Sequence, residues 1–213
     1  MRDPWLFLDL ENKNLSDQER NDRILFKQNS NLAYRSGIIV SLSLIFTCVI
    51  LNFLMPYHVN VGHISQNDLF VRIFPFNERV IAGYSKTYFA DQPHFSEKIY
   101  FYALSNIIVN FVMTTWVIWV LFISYTRPTF LKHKTSNFGF FSVYLFLIFC
   151  VFLVSITSPS YTSNIVSPSL DINPSYSAIK ESVLLIGLYF VIGGISVDFV
   201  NRIRVSVADR AKY

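Results

Sequence analysis

The residues with the most chemical potential in this sequence are three histidines, His58, His63 and His94, which share one stretch with Asp68 and Asp91. Imidazole and carboxylate together could ligate zinc, but their spacing matches no dedicated zinc pattern. The expectation is therefore solvated loop histidines and no metal. Ser177-Ala178-Ile179-Lys180 matches the SxxK spacing of a serine nucleophile beside a lysine base, but the companion motifs are absent. No HExxH, GxSxG, CxxC, Walker or GxGxxG spacing occurs. The reading is a protein that is not an enzyme and needs no cofactor. Cys48 and Cys150 both sit inside apolar runs and read as packed hydrophobes, not as a disulfide.

The elements that would carry these residues follow from composition. Of 213 residues, 52% are apolar, 17% aromatic and only 15% charged, and the mean hydropathy is +0.38. Soluble domains carry about 25% charged residues. The balance argues against a disordered chain, a nucleic-acid-binding domain and an ordinary soluble enzyme. Residues 1–36 hold six acidic and six basic residues and lack the apolar core of a signal peptide.

Four windows are long enough to cross a bilayer core, which takes about 20 apolar residues. They are 37–55, 106–125, 138–156 and 182–200. The first three are apolar on every face, as surface helices of a soluble fold are not. The expected fold class is an all-α membrane protein: a four-transmembrane-helix bundle with a loop of about 50 residues between helices 1 and 2. The organisation is an N-terminal segment 1–36, a transmembrane domain 37–200 and a tail 201–213. Arg2, Lys13, Arg20, Arg23, Lys27 and Arg35 precede the first span. Arg127, Lys132 and Lys134 follow the second, and Arg202, Arg204, Arg210 and Lys212 follow the fourth. The two other connections hold only Arg72, Arg79, Lys86, Lys98 and Lys180. By the positive-inside rule both termini are expected in the cytoplasm of a plasma (inner) membrane protein.

Within the spans, Asn106, Asn110 and Thr114 fall at i, i+4 and i+8 and form one polar stripe. Such a stripe is either a packing seam, here expected near Asn52, or the lining of a pore. Asp198 precedes Arg202 by four residues, the spacing of an ion pair at the membrane interface. Gly187 and Gly194, seven apart, thin one face of the fourth span for close approach by another helix.

Outside the spans, Ser16-Asp17-Gln18-Glu19 fits a capping box, so a short helix is expected over 17–29. Its few apolar residues would lie on the membrane or on a partner. The long loop has β-prone runs rich in aromatics and arginine. Phe70, Arg72, Phe74, Phe76, Arg79 and Tyr84 are its candidate binding residues, or else its anchors at the headgroups. Residues 157–181 are rich in Ser and Pro and read as an irregular lid.

The order of spans, with both termini inside and a long loop after the first, is similar in outline to four-helix immunity proteins that protect bacteria against pore-forming bacteriocins. The likeness is one of topology and transfers no site residue. The expected function is non-catalytic binding of other integral membrane proteins, as an accessory or scaffold subunit or an immunity or exclusion factor. The alternative is a small oligomeric transporter or channel. Expected partners are membrane lipid and other membrane proteins or a second copy of the chain, with no nucleic acid.

Overall fold

The computed structural model describes residues 16–60, 93–131, 137–156 and 174–210, and all regular structure among them is helical. Helix α1 spans Asp17–Val49 and continues through a π-helical turn, Ile50–Leu54, into a 3-10 turn, Met55–Tyr57. Helices α2, α3 and α4 span Phe95–Thr126, Asn137–Ile156 and Pro174–Arg210. Three stretches are long and apolar enough to cross a membrane: Asp17–Tyr57, Phe95–Thr126 and Ala178–Arg210. The apolar stretch of α3, Asn137–Leu153, is shorter.

The start of α1 follows from its sequence. The Glu19 amide donates to Ser16 Oγ, and the Ser16 amide donates to Glu19 Oε2, both at 3.2 Å. These two bonds close the capping box and satisfy donors that a helix start would otherwise orphan. The helix does not stop near residue 29 as expected. No proline interrupts it before Pro56, and Gly37, its one glycine, is packed against its neighbours, so α1 runs on unbroken. Pro56 ends the regular register, because it lacks an N–H and its ring would crowd the carbonyl one turn back. The Met55 amide instead bonds the Ile50 carbonyl, one residue further back than in an α-helix.

Helix α2 begins eleven residues ahead of the expected second span. Ile99, Phe101, Tyr102 and Ala103 within that extension are all buried, so packing extends the helix beyond its purely apolar run. Helix α4 opens on Pro174, a favoured first residue because its missing N–H is not needed there. It continues past residue 200 to Arg210, with Asn201 and Arg202 buried.

The chain divides into two packing units. One gathers Met1–Ile39, Thr114–Ile148 and Tyr189–Tyr213, the other Val40–Met113 and Phe149–Leu188. In both, the usual distribution of side chains is turned around. Ile39, Phe122, Phe138 and Leu145 of the first unit and Leu42, Phe46 and Phe111 of the second are each more than 60% exposed. Buried side chains include Asn29, Ser124, Ser196, Asn201 and Arg202 in the first unit, and Asn52, Ser105, Asn106 and Ser182 in the second. Large apolar faces turned outward are unstable in water and stable in lipid, where polar groups must find partners inside. The helices are built for insertion into a membrane.

Candidate functional site

In the first unit, two glycines and one tryptophan make a close helix contact. Trp116 of α2 is 6% exposed, donates its indole N–H to Ser36 Oγ at 3.0 Å, and stacks on Phe190 at 7° between planes. A β-carbon added at Gly37 would lie 2.6 Å from the Trp116 ring, and one added at Gly193 would run directly into it. Gly194 has nothing within 4 Å of such an atom. The small-residue contact within this unit is thus made by Gly37 and Gly193, while Gly194 faces outward. In the second unit Gly187 is likewise exposed with open space beside it.

Asn201 organises the end of the same unit. Its Oδ1 accepts from Thr129 Oγ1 and from the Leu131 amide, each at 3.0 Å, and its Nδ2 donates to the Leu131 carbonyl at 2.8 Å. One side chain on α4 thereby fixes the backbone that leaves α2. Asn29 of α1 adds a bond from Nδ2 to the Arg127 carbonyl at 3.2 Å. Arg202, 4% exposed, donates Nε to Asp198 Oδ2 at 2.9 Å and Nη1 to Asn137 Oδ1 at 3.1 Å. Its guanidinium also lies 4.4 Å from the centre of the Phe140 ring. A buried charge needs such partners on several sides, and the pair here reaches α3 as well as its own helix. Tyr144 and Ser196 share a hydrogen bond of 2.9 Å between α3 and α4. Thr114 is bonded at 3.0 Å to the hydroxyl of Tyr189.

Where α1 and α4 begin and end in this unit, an open cleft of about 470 Å³ is lined by Glu19, Asp22, Asp209, Phe130, Val205 and Ala208, among others.

In the second unit, Asn52 is 1% exposed and donates Nδ2 both to the Cys48 carbonyl at 2.9 Å and to Ser105 Oγ at 2.7 Å. It sits in the π-helical turn, where backbone pairing shifts by one residue, and adds a donor at that change of register. Its partner on α2 is therefore Ser105, next to Asn106 of the expected stripe. Asn110 donates to the Asn106 carbonyl at 2.9 Å and to its Oδ1 at 3.2 Å, both within α2. The Tyr102 hydroxyl donates to Glu181 Oε2, tying α2 to the start of α4 beside the cluster of Ile99, Tyr102 and Ala178. Replacing Asn52 by alanine is expected to lower the unfolding temperature measured in detergent. The change corresponds to about 1 kcal/mol, the usual size of an interhelical bond in a membrane. Adding Ser105→Ala should then cost little more, because the shared bond is already gone.

Both cysteines are free thiols, Cys48 buried and Cys150 half-buried. His58 is exposed, and the ring of His94 meets Tyr57 edge to face at 5.3 Å. Among the described residues no three His, Cys, Asp or Glu side chains gather as a metal site. His63, Asp68, Asp91 and the loop residues Phe70, Arg72, Phe74, Phe76, Arg79 and Tyr84 lie outside the described residues. The arrangement that is described holds helices together.

The chain matches no family model, no curated protein and no solved structure.

Three of these contacts were not legible from spacing. In the sequence Asn201 falls in the charged tail, Glu181 at the end of the Ser- and Pro-rich connection, and Ser105 beside a more conspicuous asparagine. The signal for Asn201 was its place three residues after Asp198, on the side of α4 that continues the buried face.

Proposed function

We propose that this chain is a non-catalytic membrane protein that works by binding another integral membrane protein, as an accessory subunit or an immunity or exclusion factor. The observation that supports the reading is the outward face of α4 at Gly194. The glycine is exposed with open space where a side chain would stand, and Val191, one turn earlier, is 47% exposed. In lipid, association between helices depends on close van der Waals packing, and an exposed small residue lets a second backbone come near. The inward glycines Gly37 and Gly193 already have their occupant in Trp116, whereas Gly194 has none within 4 Å.

In this reading α3, 20 residues long, is the fourth crossing, since about 20 residues span the hydrocarbon. The basic residues then place both termini in the cytoplasm of a plasma membrane, and the long connection after α1 lies on the other side.

The test is purification of the tagged protein from its native membranes in a mild detergent, alongside its Gly194→Leu variant. Wild type is expected to bring down a stoichiometric membrane protein. Gly194→Leu should lose it while keeping its yield and monodispersity, because the added side chain enters open space. A homo-oligomer without companions, showing solute flux that Asn110→Leu abolishes, would replace this reading by a transporter or channel.

A further inference from the structure

We infer that the groove between α1 and the end of α2 in the first unit is a binding site for an anionic glycerophospholipid. The groove has a volume of about 560 Å³ and is lined by Gln28, Leu32, Arg35, Ile39, Trp119 and Arg127, among others. Its described lining residues include two arginines and no acidic residue. Neither guanidinium has a hydrogen-bond or ion-pair partner among the described residues. A guanidinium presents a planar fork of donors that matches phosphate oxygens. Two of them on one groove without a counter-charge among the described residues give it the sign of an anion site.

The order of the lining residues identifies the anion as a lipid. Along α1, residues 28, 32, 35 and 39 fall on one face, and 11 residues at 1.5 Å each carry the groove over about 16 Å. The level of α1 against α2 is fixed by the bond from Asn29 to the Arg127 carbonyl at one end and from Trp116 to Ser36 further in. Gln28 and Arg127 thus stand at the mouth, next to the connection that leaves α2. Ile39 and Trp119 stand on the side of the apolar runs, 67% and 39% exposed. Arg35 lies between them, just ahead of the first residue of the uncharged run 37–55. The sequence of polar mouth, cations and apolar depth follows that of a phospholipid, with phosphate on the arginines and an acyl chain along Ile39 and Trp119. A free phosphate would use the arginines and leave the apolar depth without a role. Basic pockets between helices at the membrane surface bind anionic headgroups on these terms.

Lipid binding in this groove needs no protein partner, so the full chain alone suffices. The protein is purified in detergent, stripped of lipid and titrated with phosphatidylglycerol or phosphatidylcholine, and bound lipid is counted by native mass spectrometry. The wild type is expected to bind phosphatidylglycerol at least about tenfold more tightly than phosphatidylcholine. The double variant Arg35→Gln, Arg127→Gln should lose that preference. Arg20→Gln with Arg210→Gln, which removes the same charge from exposed positions elsewhere, should keep it. Equal binding of the two lipids by wild type would overturn the site. So would an equal loss in the Arg20, Arg210 variant, since the effect would then be net charge alone. Inorganic phosphate should fail to displace the lipid, and displacement at equal concentration would assign the groove to a soluble anion instead. If the double variant aggregates, Trp119→Ala supplies the second reading. It should weaken phosphatidylglycerol while leaving any phosphate binding unchanged, and unchanged lipid binding would contradict the acyl path.

Discussion

Gly193→Ala is expected to destabilise the protein by about 1–3 kcal/mol, whereas Gly194→Ala next to it should be neutral or stabilising by up to about 1 kcal/mol. The two substitutions add the same methyl group one residue apart on one helix. At Gly193 the methyl group would overlap the Trp116 ring, and that ring cannot easily withdraw. Its indole N–H is held by Ser36, its face lies on Phe190, and Phe190 in turn meets Tyr34 edge to face at 5.7 Å. At Gly194 the methyl enters open space, and only the higher helix propensity of alanine counts. Thermal unfolding of both variants in the same detergent compares them directly. Equal unfolding temperatures would show that α2 and α4 do not meet at Trp116. As a second check, Trp116→Phe in the Gly193→Ala background should recover part of the loss by shortening the ring.

The other large effect belongs to Asn201. Asn201→Ala removes the partner of the Thr129 hydroxyl and of both the N–H and the C=O of Leu131. Buried polar groups left without partners cost about 1–3 kcal/mol each, less where water can reach them. A total loss of about 3 kcal/mol is expected. The double variant with Thr129→Val should be less destabilised than the two single variants predict together, since they share one bond. Limited proteolysis reports the same contact locally. Chymotryptic cleavage after Phe130 or Leu131 should accelerate in Asn201→Ala and stay at the wild-type rate in Gly194→Ala. Strict additivity with Thr129→Val and unchanged cleavage would show that this asparagine does not hold the connection.

Much of this architecture was written in local patterns. The capping box at Ser16 and Glu19 marks the start of α1 because two side-chain bonds there depend on residues three apart. Apolar runs of about 20 residues mark a part of each long helix because nothing else in a chain of this size could cover them. The ion pair of Asp198 and Arg202 follows from one helical turn. The ends of the helices were not legible in the same way. The apolar run marks where lipid is, while the helix itself continues for as long as packing rewards it, as at Tyr102 and Asn201. Nor does the sequence distinguish Gly193 from Gly194. Both are glycines on one helix, and the rotation that turns one inward is set by a tryptophan 77 positions earlier. The stripe of Asn106, Asn110 and Thr114 was visible from its spacing, but its partners were not. They include the carbonyl and the side-chain oxygen of Asn106 for Asn110 and a tyrosine of α4 for Thr114.

In the proposed arrangement the helices place apolar faces in lipid, α3 is a fourth crossing and both termini lie on one side. Single cysteines introduced one at a time into a Cys48→Ala, Cys150→Ala background test this most directly, read by a membrane-impermeant maleimide on intact cells and on opened membranes. Leu42, Phe111 and Phe146 positions should stay unlabelled in both. Asn60 should label on intact cells, and Arg20 and Arg210 only once the membrane is opened. Labelling at Phe146, or labelling of Asn60 and Arg20 from the same side, would contradict the arrangement.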